Sequence, residues 1–190
     1  MENSSAVKSR LSILKTNVNM RKIIVGVIGG HVCNKDVDGL AQDLGKKLAK
    51  VVDFIICGGL SGVMKAVCSG FKAGGGITIG IIPSYHKEDA NQFVDVVIPT
   101  GMGLARNVMV VKSADVVIAL PGESGTLSEI AYCLQFGIPV VGLVPEKLGQ
   151  EGSLTTKFLG AASTDDIPGI IRVHTVEETV EIVRKILKKI

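Results

Sequence analysis

The sequence predicts an α/β fold: a doubly wound, mostly parallel sheet of about seven strands with helices on both faces. Three observations carry this expectation. Short aliphatic runs rich in Val and Ile, with no polar alternation, fit strands buried on both faces, and segments with apolar residues at helical spacing lie between them. The composition, 46% hydrophobic with 23 glycines, 4% aromatic and no tryptophan, suits aliphatic strands joined by tight turns. At 190 residues the chain is long enough for one domain with a large core and short for two.

Residues 1–19 lie outside the repeating pattern and read as an N-terminal extension, within which Ala6 to Lys15 could form a short helix. Met20-Arg21-Lys22 opens a single domain over 20–190. Ile23 to Ile28 is a strand ending in Gly29-Gly30, followed by a helix from Val37 to Lys50 with Leu40, Leu44 and Leu48 on one face. Asp36 and Asp38 are expected to cap it. Val51 to Cys57 is the second strand, ending in Gly58-Gly59, and Gly62 to about Ala73 the second helix, with Met64, Val67, Cys68 and Phe71 inward. Ile77 to Ile82 is stopped by Pro83, a polar loop follows, and Phe93 to Ile98 is stopped by Pro99.

Leu104 to Lys112 then forms a helix, and Val116 to Leu120 a fifth strand that meets Pro121-Gly122. Thr126 is placed to cap the next helix, which runs to about Gly137. Pro139 to Val144 is the sixth strand and Ile170 to Val173 a short seventh. Between them Pro145 to Pro168 is polar and turn-rich, a mobile connection with one helical turn near Leu154 to Leu159. In the last helix Thr175 and Glu178 form a capping box, and Val176, Val180, Val183 and Leu187 share a face.

The net charge of +3 is unevenly placed. Lys8, Arg10, Lys15, Arg21 and Lys22 stand against Glu2 in the first 22 residues, so the body is close to neutral. That argues against a nucleic-acid-binding face, which needs clustered Lys and Arg. Cys33, Cys57, Cys68 and Cys133 show no Cys-x-x-Cys spacing and read as small buried hydrophobes of a reducing compartment. His31 and Cys33 make an incomplete metal set, so no metal is expected. With no apolar leader and no membrane-length apolar run, the expectation is a cytoplasmic protein with no membrane partner.

Three strands end in glycines, and in an open parallel sheet their carboxyl ends share one edge, so these loops converge on one site. No complete dinucleotide fingerprint and no P-loop occurs; Gly59-Leu60-Ser61-Gly62 offers only the second half of the former. NAD binding and ATP hydrolysis are therefore not expected. The loop Pro121-Gly122-Glu123-Ser124-Gly125-Thr126 either presents free N–H groups to an anion at a helix N-terminus or is a plain strand-to-helix turn. Arg106, just after a glycine turn, is either an anion partner or a solvated helix-start residue. Glu129, three residues after Thr126, is either catalytic or the closing member of a capping box.

Four segments in order then carry a resemblance. Gly58-Gly59-Leu60-Ser61-Gly62-Val63-Met64, Gly80-Ile81-Ile82-Pro83, Gly101-Met102-Gly103-Leu104-Ala105-Arg106-Asn107 and Pro121 to Glu129 resemble the signature of the Lonely Guy (LOG) superfamily. The third is most similar to the molybdenum cofactor carrier proteins and their uncharacterised bacterial and archaeal relatives; the cytokinin-activating branch usually has Arg-Lys at Arg106-Asn107. The resemblance implies a Rossmann-like fold, a homodimer or homotetramer, and a small phosphorylated ligand, either a nucleotide monophosphate or a molybdopterin-type cofactor. No cofactor is required. With the strand-end turn at Gly29 and Gly30, ligand contacts are expected at Gly58, Gly59, Gly62, Met64, Gly101 and Asn107, and along the loop at Pro121, Gly122, Glu123, Ser124, Gly125 and Thr126.

For the main reading, a ligand-binding or carrier protein, those contacts suffice. In the alternative, a nucleoside 5′-monophosphate phosphoribohydrolase, Arg106 and Glu129 cut the N-glycosidic bond. Lysine decarboxylase activity, an older label of the family, is not expected. One departure concerns Glu123, which stands where the family loop has its second glycine: turned inward its carboxylate repels a phosphate, turned outward it costs little. The helices over 62–73 and 104–112, apolar on more than one face, are expected to bury their surplus between subunits.

Overall fold

The computed structural model describes residues 22–145, 152–161 and 167–190. The N-terminal extension, the opening of the domain at Met20 and parts of the connection between strands six and seven lie outside them. Among the described residues, strands β1 (Ile24–Ile28), β2 (Phe54–Cys57), β3 (Ile77–Ile82), β4 (Val96–Pro99), β5 (Val116–Ala119), β6 (Val140–Leu143) and β7 (Ile170–Val173) form one sheet. Every pairing is parallel, in the order β4-β3-β2-β1-β5-β6-β7. The chain winds outward from β1 to β4 and then crosses back to lay β5 on the other side of β1. This reversal between β1 and β5 opens a crevice at the strand ends, since the chain leaves the two strands in opposite directions.

Six helices cover the sheet among the described residues: α1 (Lys35–Leu48), α2 (Val63–Ala73), α3 (Asn107–Lys112), α4 (Ser124–Phe136), α5 (Leu154–Gly160) and α6 (Val176–Leu187). Successive strand residues point to opposite faces, and the buried side chains divide accordingly. Val25, Ile55, Cys57, Ile118 and Val141 pack with α1, α2 and α6, whereas Ile56, Val117, Ala119 and Val140 pack with α3, α4 and α5. Unbroken aliphatic runs follow from burial on both sides.

Several boundaries differ from the sequence expectation. The first helix starts at Lys35 because Asn34, not Asp36 or Asp38, caps it: its Oδ1 accepts from the Val37 N–H at 2.9 Å. Val51 and Val52 are not strand; their N–H groups bond back to the Leu48 carbonyl and close α1. β4 starts at Val96, since Phe93 and Val94 are held in a turn by Asn91. Pro99 lies inside this edge strand, where its missing N–H is tolerated. A 3-10 turn over Gly103–Arg106 precedes the shortened α3. The capping box at Thr175 and Glu178 is present.

α2 departs from the expectation of surplus apolar surface: Val63, Met64, Val67 and Phe71 are all buried within the chain. The reason is α1, which packs backbone to backbone on α2. A methyl group at Gly70 would collide with the Gln42 carbonyl oxygen, and one at Gly45 with the Val67 carbonyl oxygen. Gly70→Ala is therefore expected to lower the unfolding free energy by ~2–3 kcal/mol through overpacking. Gly39→Ala, exposed in the same α1 with nothing near it, should raise it by ~0.5–1 kcal/mol through helix propensity. Urea unfolding of the two variants checks the opposite signs.

Candidate functional site

At the crevice, the turns after β1 and β5 are locked together: the Gly30 N–H donates to the Pro121 carbonyl at 2.9 Å, and the Val63 N–H donates to Gly30 at 3.0 Å. The β5 turn is braced from behind by α5. The Gly122 N–H donates to Ser153 Oγ at 2.9 Å, and the Thr155 N–H donates to the Gly122 carbonyl at 2.9 Å. Gly122 has no room for a side chain, because a methyl group there would meet Thr126 Oγ1. The result is a rigid floor beneath a cleft of about 230 Å³.

The floor of that cleft carries an ion pair. Arg106 ends the 3-10 turn before α3, Glu129 projects from α4, and Arg106 Nη1 donates to Glu129 Oε1 at 3.0 Å. Arg106 is 7% exposed and Glu129 6%. Among the described residues the Nε of Arg106 has no hydrogen-bond partner, and its Nη2 lies so close to Gly58 that a methyl group there would collide with it. Burial pushes the Glu129 carboxyl up to about 7, outweighing the opposing pull of the guanidinium beside it. Asn107 joins the two helix starts, its Nδ2 donating to Ser128 Oγ at 2.8 Å and to the Gly125 carbonyl at 3.3 Å.

These contacts exclude the capping-box reading of Glu129. α4 begins at Ser124, and its first intrahelical bond runs from the Leu127 N–H to the Glu123 carbonyl, so Thr126 lies inside the helix and does not cap it. Glu129 consequently closes no capping box; its partner is Arg106. Nor is Arg106 a solvated helix-start residue. Glu123 occupies the N-cap position, exposed at the cleft rim, and its side chain makes no capping bond.

Of the site residues expected from the sequence, Gly29, Gly30, Gly58, Met64, Arg106, Asn107, Glu123, Gly125, Thr126 and Glu129 line the cleft. Gly59, Gly62 and Gly101 stand outside its lining, in turns with φ of 70°, 61° and 64° that favour glycine. Pro121, Gly122 and Ser124 are likewise outside the lining. Leu60, Pro83 and Leu104, which lie in the family segments but were not expected as ligand contacts, also line it, as does His31, which the sequence offers only as part of an incomplete metal set. Ser153 and Thr155 were also missed, inside a segment read as connection, though Ser153 caps α5 with its Oγ accepting from the Thr156 N–H and is a legible helix start. His31 sits beside Ser61, whose Oγ donates to the His31 carbonyl at 2.8 Å. Among the described residues no group of three or more His, Cys, Asp or Glu side chains converges to hold a metal, and no helix is long and apolar enough to cross a membrane.

Comparison with known proteins places this architecture. The family model described as SLOG cluster4 matches residues 22–180, which spans the sheet, the crevice and the start of α6. The chain belongs to the SLOG cluster4 family. An uncharacterized protein of Archaeoglobus fulgidus is 40% identical over 126 residues, 66% of this chain and 83% of that protein. A rice protein (Oryza sativa subsp. japonica) named as the probable cytokinin riboside 5′-monophosphate phosphoribohydrolase LOGL9 is 38% identical over 104 residues. That match covers 52% of this chain and 46% of the rice protein. The molybdenum cofactor binding protein of Rippkaea orientalis superposes with a TM-score of 0.74 at 34% identity, covering 89% of this chain and 99% of that one. The Rossmann-like α/β fold and the LOG relationship implied by the four sequence segments are both shown by these likenesses.

Proposed function

We propose that the SLOG protein is a cytoplasmic ligand-binding protein of the LOG and molybdenum cofactor carrier type, taking a phosphorylated nucleotide or a molybdopterin-type cofactor in the cleft between β1 and β5. The observation that carries this reading is Arg106: a buried guanidinium facing a crevice at the sheet's switch point, with one donor left without a partner. A buried donor without a partner costs free energy that an anionic or carbonyl-bearing ligand recovers. The first turn of α4 supplies N–H groups for a phosphate. The likeness to the Rippkaea protein, over nearly the whole of both chains, supports a pterin-type ligand.

A second reading, phosphoribohydrolase, is favoured by the Arg106–Glu129 pair itself. A carboxyl held near 7 suits a general base that activates water, with Arg106 orienting the base or phosphate of a nucleoside monophosphate. The protein is further proposed to assemble as a homodimer or homotetramer. Tyr132 and Phe136 stack at 6.1 Å on an exposed stretch of α4, with Lys112 of α3 over the Phe136 ring, and apolar surface of this kind is usually covered.

One experiment separates these readings. Mass spectrometry of the purified protein is expected to find a retained phosphorylated nucleotide or pterin, with light scattering of the same sample giving a dimer or tetramer. Incubation with AMP, GMP and CMP should release no ribose 5-phosphate. Release would replace the carrier reading by the hydrolase one, and a monomer at micromolar concentration would refute the assembly.

A further inference from the structure

We propose that the cleft takes its phosphorylated ligand as a divalent-cation complex, a hard cation such as Mg²⁺ being bridged between the ligand phosphate and the Glu123 carboxylate. This rests on the reading above that the ligand is phosphorylated. Three observations lead to it, the first being charge. Among the described residues the Asp, Glu, Lys and Arg side chains lining the cleft are Arg106, Glu129 and Glu123, and Arg106 is already paired with Glu129 at 3.0 Å. No lysine lines it. A phosphate dianion therefore enters a site whose guanidinium is already shared with Glu129 and which holds a second carboxylate, that of Glu123.

The second observation is where that carboxylate stands. Glu123 holds the N-cap position of the thirteen-residue α4, yet its side chain makes no bond to the helix N–H groups, and intrahelical bonding begins only at Leu127. The anion-accepting first turn is thus not filled by Glu123 itself. A phosphate on that turn and the Glu123 carboxylate at the rim become neighbours. Third, the site awaits a ligand independently of the helix end: Arg106, 7% exposed, lines the same cleft with its Nε unpartnered.

Two anionic oxygen groups side by side, with the nearby guanidinium shared with Glu129, are the donor set of Mg²⁺, which keeps several waters and binds through one or two carboxylates plus a substrate phosphate. The absence among the described residues of a cluster of three metal-ligating side chains fits a cation that arrives with the ligand and has no all-protein cage.

Titration calorimetry of the full chain with AMP and with ribose 5-phosphate, in millimolar Mg²⁺ and in EDTA, tests the proposal on the wild type and on Glu123→Gly. Wild-type affinity is expected to be at least about tenfold tighter in Mg²⁺. Glu123→Gly should bind at least about tenfold better than wild type in EDTA and lose the Mg²⁺ dependence. With Mn²⁺ in place of Mg²⁺, water-proton relaxation enhancement should appear for the wild type with AMP and vanish in the variant. Equal wild-type affinity with and without Mg²⁺, Mg²⁺ dependence surviving in Glu123→Gly, or binding by Glu123→Gly alone would each overturn the cation bridge while leaving the phosphate site standing. If a folded Glu123→Gly binds neither probe under either condition, the phosphorylated-ligand reading fails and the bridge with it.

Discussion

Replacing Arg106 by methionine is expected to lower stability by ~3–5 kcal/mol at pH 8 and by far less at pH 5, because it strips the partner from a buried carboxylate. Methionine keeps most of the volume, so a cavity is not the cause. The wild-type Glu129 carboxyl stands at about 7 through two opposed causes, burial raising it and Arg106 lowering it. With the guanidinium gone only burial remains, and the carboxyl moves higher. At pH 5 it is protonated in the variant and carries no charge to desolvate. At pH 8 the variant must hold either an unpaired buried charge or a proton the solvent no longer supplies, at about 1.4 kcal/mol per pH unit. Urea unfolding at the two pH values checks this. A loss of equal size at both would mean that Glu129 is not desolvated. Adding Glu129→Gln to the variant should recover most of the loss at pH 8, since a neutral amide replaces the stranded charge.

The ion pair also marks where sequence reasoning stopped short. Thr126-Leu127-Ser128-Glu129 has the spacing of a capping box, and local pattern alone favours that reading. What overrides it is a contact across 23 residues of chain: Arg106 reaches Glu129 only because α3 and α4 lie side by side on the same face of the sheet. The fold itself was legible because it depends on runs long enough to average out. Ile55 and Ile56 both had to be apolar if a helix layer covered each face, and each is buried in a different cluster. Boundaries set by one or two hydrogen bonds were not legible, as at Asn34, where an amide took the cap expected of Asp36 or Asp38.

The same limit applies to α2. Its apolar residues exceed what one sheet face can cover, and the sequence does not say whether a neighbouring helix or a second subunit covers the rest. Gly45 and Gly70 were the readable clue, since two glycines inside helices lower propensity unless they permit a close crossing. In the cleft, the glycine-rich turns announced the strand ends that meet there, but not which of their residues face it. Gly59 and Gly62 serve backbone conformation, whereas Leu104, 75% exposed at the rim, belongs to the lining.

Glu129→Gln is expected to remove a pH dependence of stability and, under the hydrolase reading alone, to remove turnover. Folding raises the Glu129 carboxyl from about 4.5 to about 7, so the folded state holds a proton that the unfolded chain has lost. The stabilisation this provides is complete below about pH 4.5 and is lost as pH climbs to about 7, a swing of ~3 kcal/mol by linkage. The difference between wild type and variant should follow that swing and be flat above pH 8; other titrating groups cancel in it. For chemistry the same carboxyl has the affinity for protons that a general base at neutral pH needs. If it activates water toward a nucleoside monophosphate, ribose 5-phosphate release should rise with pH through an apparent pKa near 7 and fall about a hundredfold in the variant. Glutamine keeps the shape and still accepts from Arg106 Nη1, so a ligand that is merely held should bind the variant within about threefold of wild type. Retained binding with no release from either protein assigns Glu129 to positioning Arg106, because the guanidinium then needs only an acceptor at 3.0 Å and not a proton carrier.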